Sequence, residues 1–239
     1  MSFSFDDGRE SAARIGAGML EEHGWRGTFF VLMQHVRAKP RLWRRLARAG
    51  HEIGNHTLEH PCSGNFPWSR ENPLEEYTLS RMAAELDAAS AQIEAFFGRW
   101  PTSFAYCCGQ KYVGRGTDTR SYVPLVAERF TVGRGARDEY ANDPLYVDLA
   151  QVGGIEADGL GTSDLVQLAE QAADREQWLV LVGHEIGAPG LHAVGTRELE
   201  GFCRWLRDRG DLWVAPIEEV GTHIARSRGE SAALASSTG

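Results

Sequence analysis

Short runs rich in β-branched, aromatic and aliphatic residues alternate with longer segments of helical period along nearly the whole chain, and few folds accommodate that rhythm. Residues 2–5, 27–32, 51–54, 103–106, 130–132, 145–152, 178–182 and 212–214 read as strands. Residues 10–23, 40–49, 74–97, 121–128, 162–176, 195–209 and 217–226 read as helices. Thr28-Phe29-Phe30-Val31 is apolar enough to be buried on both faces, as strands of a parallel sheet are. Seven or eight strands in such alternation suit an α/β barrel better than an open dinucleotide-binding sheet. The glycine-rich pieces at 113–116 and 133–135 lack the spacing of a phosphate cradle opening a helix.

With 239 residues and 42% hydrophobic content, the chain has material for one sizeable core, and neither an internal repeat nor a dividing linker is visible. The expected organisation is one barrel over residues 1–226, followed by a frayed tail over 227–239. The 33 acidic and 25 basic residues leave a net charge of −8, which gives no footprint for a nucleic-acid backbone. No run approaches the length of a membrane span, and the first residues carry no basic and apolar leader. Cys62, Cys107, Cys108 and Cys203 are too few and scattered for a disulfide framework. They read as reduced thiols in a soluble, cytoplasmic protein, with a homo-oligomer left open.

In a barrel the chemistry sits where strands end, so the polar residues after each apolar run matter most. Four places qualify: Asp6-Asp7, His56 with His60, Cys107-Cys108-Gly109, and His184-Glu185. The i, i+4 pair His56 and His60 suits one divalent metal, but with 8 His in the chain about 0.3 such pairs arise by chance, so the pair alone is weak evidence. Asp6-Asp7-Gly8 is equally a turn and helix cap, and His184 equally a hydrogen-bonded core residue. Adjacent carboxylates at a strand end point in different directions, so one can bind a metal while its neighbour takes a proton. The zincin-like start at His184-Glu185 fails because Ala188 stands at the second ligand position and Gly187 and Pro189 forbid a helix. A cysteine near the two histidines would suit a softer metal. Phe66 and Trp68, beyond the second histidine, form either a sugar-stacking wall or a small satellite core.

Taken in chain order, these pieces resemble the polysaccharide deacetylases of carbohydrate esterase family 4, the NodB homology domain. Ser4-Phe5-Asp6-Asp7-Gly8 resembles the family's T-F-D-D-G motif, and Gly27-Thr28-Phe29-Phe30-Val31 its A-T-F-F strand. Gly50-His51-Glu52-Ile53-Gly54-Asn55-His56-Thr57 with His60 is similar to its G-H-E-I-G-N-H-[ST]-x-x-H signature. The resemblance implies a distorted (β/α)7-type barrel. It implies Asp7, His56 and His60 as ligands of one divalent metal, usually zinc, Asp6 as catalytic base and His184 as general acid. Phe104-Ala105-Tyr106-Cys107-Cys108-Gly109 occupies the place of R-P-P-Y-G, which makes the Cys108 backbone N–H the oxyanion donor.

Two departures stand out. Ala105 replaces the arginine that pairs with the catalytic aspartate, leaving Arg115, Arg120 and Arg134 as substitutes the sequence does not rank. The Asp-Trp pair is also missing, and Asp148 is the expected support of His184. The expected reaction is hydrolysis of an N- or O-acetyl group on a carbohydrate. The alternatives are a cytosolic hydrolase of cyclic amides or other small C–N bonds, to which the lost arginine points, and a sugar-binding relic.

Overall fold

The computed structural model describes residues 1–229, so the tail expected from 227 lies outside the described residues from position 230 onward. At its centre is a curled seven-stranded sheet: β1 Ser2–Phe5, β2 Thr28–Val31, β3 Glu52–Asn55, β4 Ser103–Ala105, β5 Val132–Arg134, β6 Ile155–Glu156 and β7 Val180–Gly183. The spatial order is β5-β4-β3-β2-β1-β7-β6, all neighbours parallel, so every strand delivers its carboxyl end to one rim. Helices α1 Ala17–Glu22, α2 Met33–Ala38, α3 Pro40–Arg48, α4 Leu79–Phe97, α5 Val123–Arg129, α6 Thr162–Asp174, α7 Thr196–Arg209 and α8 Ile217–Ser227 complete the layers. This is the barrel that the alternation suited and the distorted seven-stranded form that the resemblance implied.

The two edges, β5 and β6, meet through an irregular seam rather than a ladder. Val152 donates to Gly133 O (2.8 Å), Gly135 N to Val152 O (2.7 Å) and Asp138 N to Gly154 O (3.0 Å). Gly154 is required there: a Cβ would sit 2.4 Å from Gly135 O and 2.8 Å from Arg134 Cδ.

Side-chain alternation sorts each strand between two cores. Phe3, Phe5, Phe29 and Val31 join Trp43, Leu46, Phe202 and Leu206 in the cluster beneath the helices. Phe30, Ala105, Val132 and Val180 form the barrel interior, with Ile217, Val220 and Ile224 of α8 packed against it. Gly221 permits that packing, since a Cβ would come 2.2 Å from Val132 Cγ2. A third cluster, Met82 and Leu86 of α4 with Phe104, Tyr106, Val126 and Phe130, fills the space beside β4.

Three strand expectations and one helix need correction. Residues 145–152 are not a strand: Asp143 accepts from Leu145 N (2.8 Å), Asp148 caps a 3-10 turn at Leu149–Gln151, and Val152 alone bridges to Arg134. These Asp turns outcompete the β-rich composition. Residues 212–214 make no ladder, and the missing strand is Ile155–Glu156. The strand read at 130–132 lies two residues later, at β5. The helix read over 74–97 is broken at Tyr77-Thr78, where Thr78 accepts from Arg81 N (3.2 Å) as the N-cap of α4.

Buried Glu52 ties the barrel floor to α8. Its carboxylate accepts from Thr28 Oγ1 (2.6 Å), from Ser103 Oγ and from the Glu218 N–H (2.9 Å) in the first turn of α8. Burial, reinforced by the Glu218 carboxylate, pushes its pKa up to about 7. The fold therefore holds this proton more tightly than the unfolded chain does. The associated stability is complete below the ordinary value of 4.5 and is lost as pH rises through about 7. Urea titrations at pH 5 and pH 8 will show the wild type losing on the order of 3 kcal/mol more than Glu52→Gln over that interval.

Candidate active site

Each residue expected to carry chemistry lies just past a strand end, and the parallel register gathers them around one cleft of about 770 Å³ lined by Asp6, Asp7, His56, His60, Cys108 and His184. Asp6 continues β1, its N–H donating to Gly183 O at the end of β7 (2.9 Å). His56 follows β3, Cys108 follows β4, and His184 follows β7.

Asp7, His56 and His60 converge on one point. Asp7 Oδ1 lies 3.4 Å from His56 Nε2 and 3.5 Å from His60 Nε2. A tetrahedral ion with bonds of about 2.0–2.1 Å holds its donors about 3.4 Å apart, so these spacings fit a metal. The other donor atoms are already engaged. Asp7 Oδ2 accepts from Arg9 Nη2 (2.8 Å), and His56 Nδ1 is bonded to Ala105 O (2.9 Å), which directs His56 Nε2 inward. Charge agrees. Burial raises the Asp7 pKa, but His56, His60 and Arg9 outweigh it and hold the carboxyl far below the usual range. Burial and the neighbouring His56 lower His60 to about 4, so it is a neutral donor at pH 7. Burial would keep His56 neutral too, yet Cys107, Asp6 and Asp7 drive its pKa well above normal, which marks a pocket short of positive charge. A divalent cation matches that deficit.

Local backbone strain accompanies this geometry. Asp7 (φ 66°), Thr57 (64°), His60 (53°), Cys108 (53°) and Arg137 (62°) are five of the six described non-glycine residues in the left-handed region, and all sit at the cleft or beside it. Surrounding bonds hold them. Glu85 of α4 accepts from Leu58 N (3.0 Å) and Glu59 N (3.1 Å), Thr57 Oγ1 accepts from His60 N (2.9 Å), and His35 Nδ1 bonds Asp7 O (2.7 Å).

The arginine absent at position 105 comes from the neighbouring strand. Ala105 and Arg134 are register partners across β4 and β5, and the fully buried Arg134 guanidinium forms an ion pair with Asp6 Oδ1. The guanidinium also donates to Gly135 O (2.8 Å) and lies 4.9 Å from the Phe30 ring centroid. Burial works to raise the Asp6 pKa, but Arg134, then His56 and His184, lower it, so the carboxylate is ionised.

His184 has a different partner from the one expected. Asp158 Oδ2 is 2.6 Å from His184 Nδ1, and Asp158 Oδ1 accepts the His184 N–H (3.1 Å). Asp148 is instead spent capping Ala150 N (2.9 Å). Although burial disfavours the charged ring, bonding to Asp158 and Glu156 and the charge of Asp6 raise His184 to about 10. The signal for Asp158 was present in the chain: it follows the strand end at Glu156, but that strand was not read. Phe66 and Trp68 stack (centroids 5.4 Å apart) at the mouth, with Trp68 59% exposed and 5.7 Å from the His60 ring.

The cysteine expectation is also corrected. Cys62 and Cys108 form a disulfide, their Cα atoms 6.2 Å apart, while Cys107 and Cys203 are free and buried. Sequence separation of 46 residues hid this pairing.

Residues 1–121, just over half of the chain, match the family model described as polysaccharide deacetylase. A chitooligosaccharide deacetylase of Sinorhizobium fredii is 35% identical over 101 residues, 41% of this chain and 46% of the relative. The chain spans less than half the length of the first curated relatives it matches. A putative polysaccharide deacetylase structure from Mycobacterium smegmatis aligns with TM-score 0.66 and 18% identity, over 100% of this chain and 93% of that one. A family 4 acetyl xylan esterase from Clostridium thermocellum, solved with a cobalt ion, aligns with TM-score 0.61 and 18% identity over 96% and 92% of the two chains. At these identities the structures establish a shared fold.

Removing the guanidinium strands a buried carboxylate. Arg134→Met will therefore lower unfolding stability by about 3–5 kcal/mol, measured by chemical denaturation. The swap Ala105→Arg with Arg134→Ala, which returns the guanidinium from the adjacent strand, will recover more than half of that loss.

Proposed function

The chain belongs to the polysaccharide deacetylase family, and from this membership and the geometry of the cleft we propose that it hydrolyses acetyl groups from an N- or O-acetylated carbohydrate. The observation that carries the reading is one cleft that gathers an ionised, arginine-held Asp6, a carboxylate-supported His184 and the three converging donors. Asp7, His56 and His60 are the proposed metal ligands, and their one-oxygen, two-nitrogen set suits zinc. Such an ion supplies Lewis acidity toward the acyl carbonyl and lowers the pKa of water.

The side chains do the rest. Asp6, kept ionised by Arg134, accepts a proton from the attacking water. The Cys108 N–H is the proposed donor to the developing oxyanion. The hydrogen bonds of its turn are donated by Gly109 and Gln110 instead. His184, protonated at neutral pH, gives its proton to the departing amine or alkoxide, with Asp158 fixing which ring nitrogen faces the substrate. Trp68 and Phe66 offer a stacking wall for a sugar ring.

The cyclic-amide alternative leans in part on the lost arginine, and Arg134 removes that part of its support. Among the described residues no helix is long and apolar enough to cross a membrane. The Cys62–Cys108 bond favours an oxidising compartment over the expected cytoplasm.

Acetate release from acetylated chitooligosaccharides, with metal content measured on the same preparation, tests the reading. Chelation is expected to abolish turnover and added zinc to restore it; turnover unaffected by complete metal removal would reject the metal role. Asp6→Asn should keep its metal and lose at least ~10²-fold in kcat. Because the acid form of His184 is required, kcat will hold through neutral pH and fall as pH rises through about 10. Asp158→Asn will move that alkaline limb down toward the ordinary histidine value of 6.5.

A further inference from the structure

We propose that the Cys62–Cys108 disulfide is a positioning device for this site: it holds Cys108 in the left-handed conformation that aims its backbone N–H, so turnover depends on the oxidised bond while the metal donors do not. The inference rests on the proposed acetyl hydrolysis. Cys62 is the fixed post. It is fully buried two residues past His60, its N–H donates to Ser69 Oγ (3.0 Å), and its carbonyl accepts from Ser69 Oγ (2.7 Å) and Leu74 N (3.0 Å). Cys108 is the held residue. Its φ of 53° and ψ of 19° place it in a region that a residue with a Cβ enters only at a cost, and the next residue, Gly109, shares the left-handed φ at 69°. Gly109 packs closely against the Ala136 carbonyl, where a Cβ would meet the oxygen at 2.6 Å. The bond to Cys62 is the tie on the Cys108 side chain.

The expected metal donors have anchors besides the disulfide, although the His60 ring also touches it, with Nδ1 3.8 Å from Cys62 Sγ. His56 is fixed by Ala105 O, Asp7 by Arg9, and the His60 N–H by Thr57 Oγ1. Cys108 is half-buried and lines the cleft, so a small dithiol can reach its sulfur. A thiolate of the dithiol attacks one sulfur, the S–S bond breaks to a mixed disulfide, and the second thiol displaces the protein. Two protein thiols form, and the dithiol leaves as its own disulfide. Cys108 is then free to relax to the right-handed region, turning its N–H away.

The experiment compares metal-loaded wild type before and after treatment with dithiothreitol, with thiols titrated in denaturant. The count rises from the two of Cys107 and Cys203 to four as the bond opens. Reduction is expected to lower kcat at least tenfold, with KM within about twofold and bound metal unchanged, consistent with losing one oxyanion donor. Reoxidation restores it. Glycine adopts positive φ without penalty, so Cys62→Ser/Cys108→Gly will keep kcat well above Cys62→Ser/Cys108→Ala, with neither responding to dithiol. The glycine variant will also melt higher, a comparison that needs no turnover. Unchanged kcat with four free thiols, metal lost in step with activity, or glycine and alanine variants of equal melting temperature would overturn the proposal. An oxidised wild type that releases no acetate fails the functional reading instead, and the melting comparison still decides this one.

Discussion

A carboxylate without a counter-charge does not stay ionised inside a protein, and Asp6 is almost wholly buried. Everything distinctive about the rim follows from the solution to that problem. Arg134 delivers its guanidinium from β5 through the barrel interior, stacked near Phe30 and anchored to Gly135 O, so the Asp6 charge is stabilised from within the barrel. The cleft side of Asp6 is left for chemistry. His56 and His184 then sense an ionised Asp6, which raises both of their pKa values and couples the three groups electrostatically.

The strand-to-strand transfer of this arginine shows how a parallel sheet tolerates change. Ala105 and Arg134 are lateral neighbours, so either position points a side chain into the same interior volume. What the site requires is a guanidinium at a place in space. Which strand carries it is secondary, provided the packing around the new stem has room; Gly154, with no Cβ to meet Arg134 Cδ, supplies that room.

The barrel and the four rim segments were legible because their signals are local: apolar runs that end in Asp, His or Cys. Asp6, Asp7, His56, His60 and His184 all reach the cleft, as a strand-end argument requires. Features that depend on distant pairing were not legible. Asp158 was hidden because β6 is two residues long, too short for any period to register. Asp148 drew attention from a β-rich run that its own capping bond to Ala150 N prevents from forming a strand. The disulfide joins residues whose proximity arises only when β3 and β4 lie side by side. Arg134 sat among three candidate arginines, and the register that sets it beside Ala105 is not displayed by a linear sequence.

The seam between β5 and β6 carries a consequence for motion. Elsewhere the sheet is closed by ladders, but here a few bonds around Val152 and Gly154 complete the circle, and one of them is made by Gly135, next to Arg134. Local opening events in a folded protein begin where such bonds are fewest. A transient parting at this seam would wet the Arg134 guanidinium and weaken its hold on Asp6, so the basicity of the rim carboxylate would fluctuate with the breathing of the barrel wall. Substitutions that tighten the seam would then hold the Asp6 carboxyl at a lower pKa without touching the site.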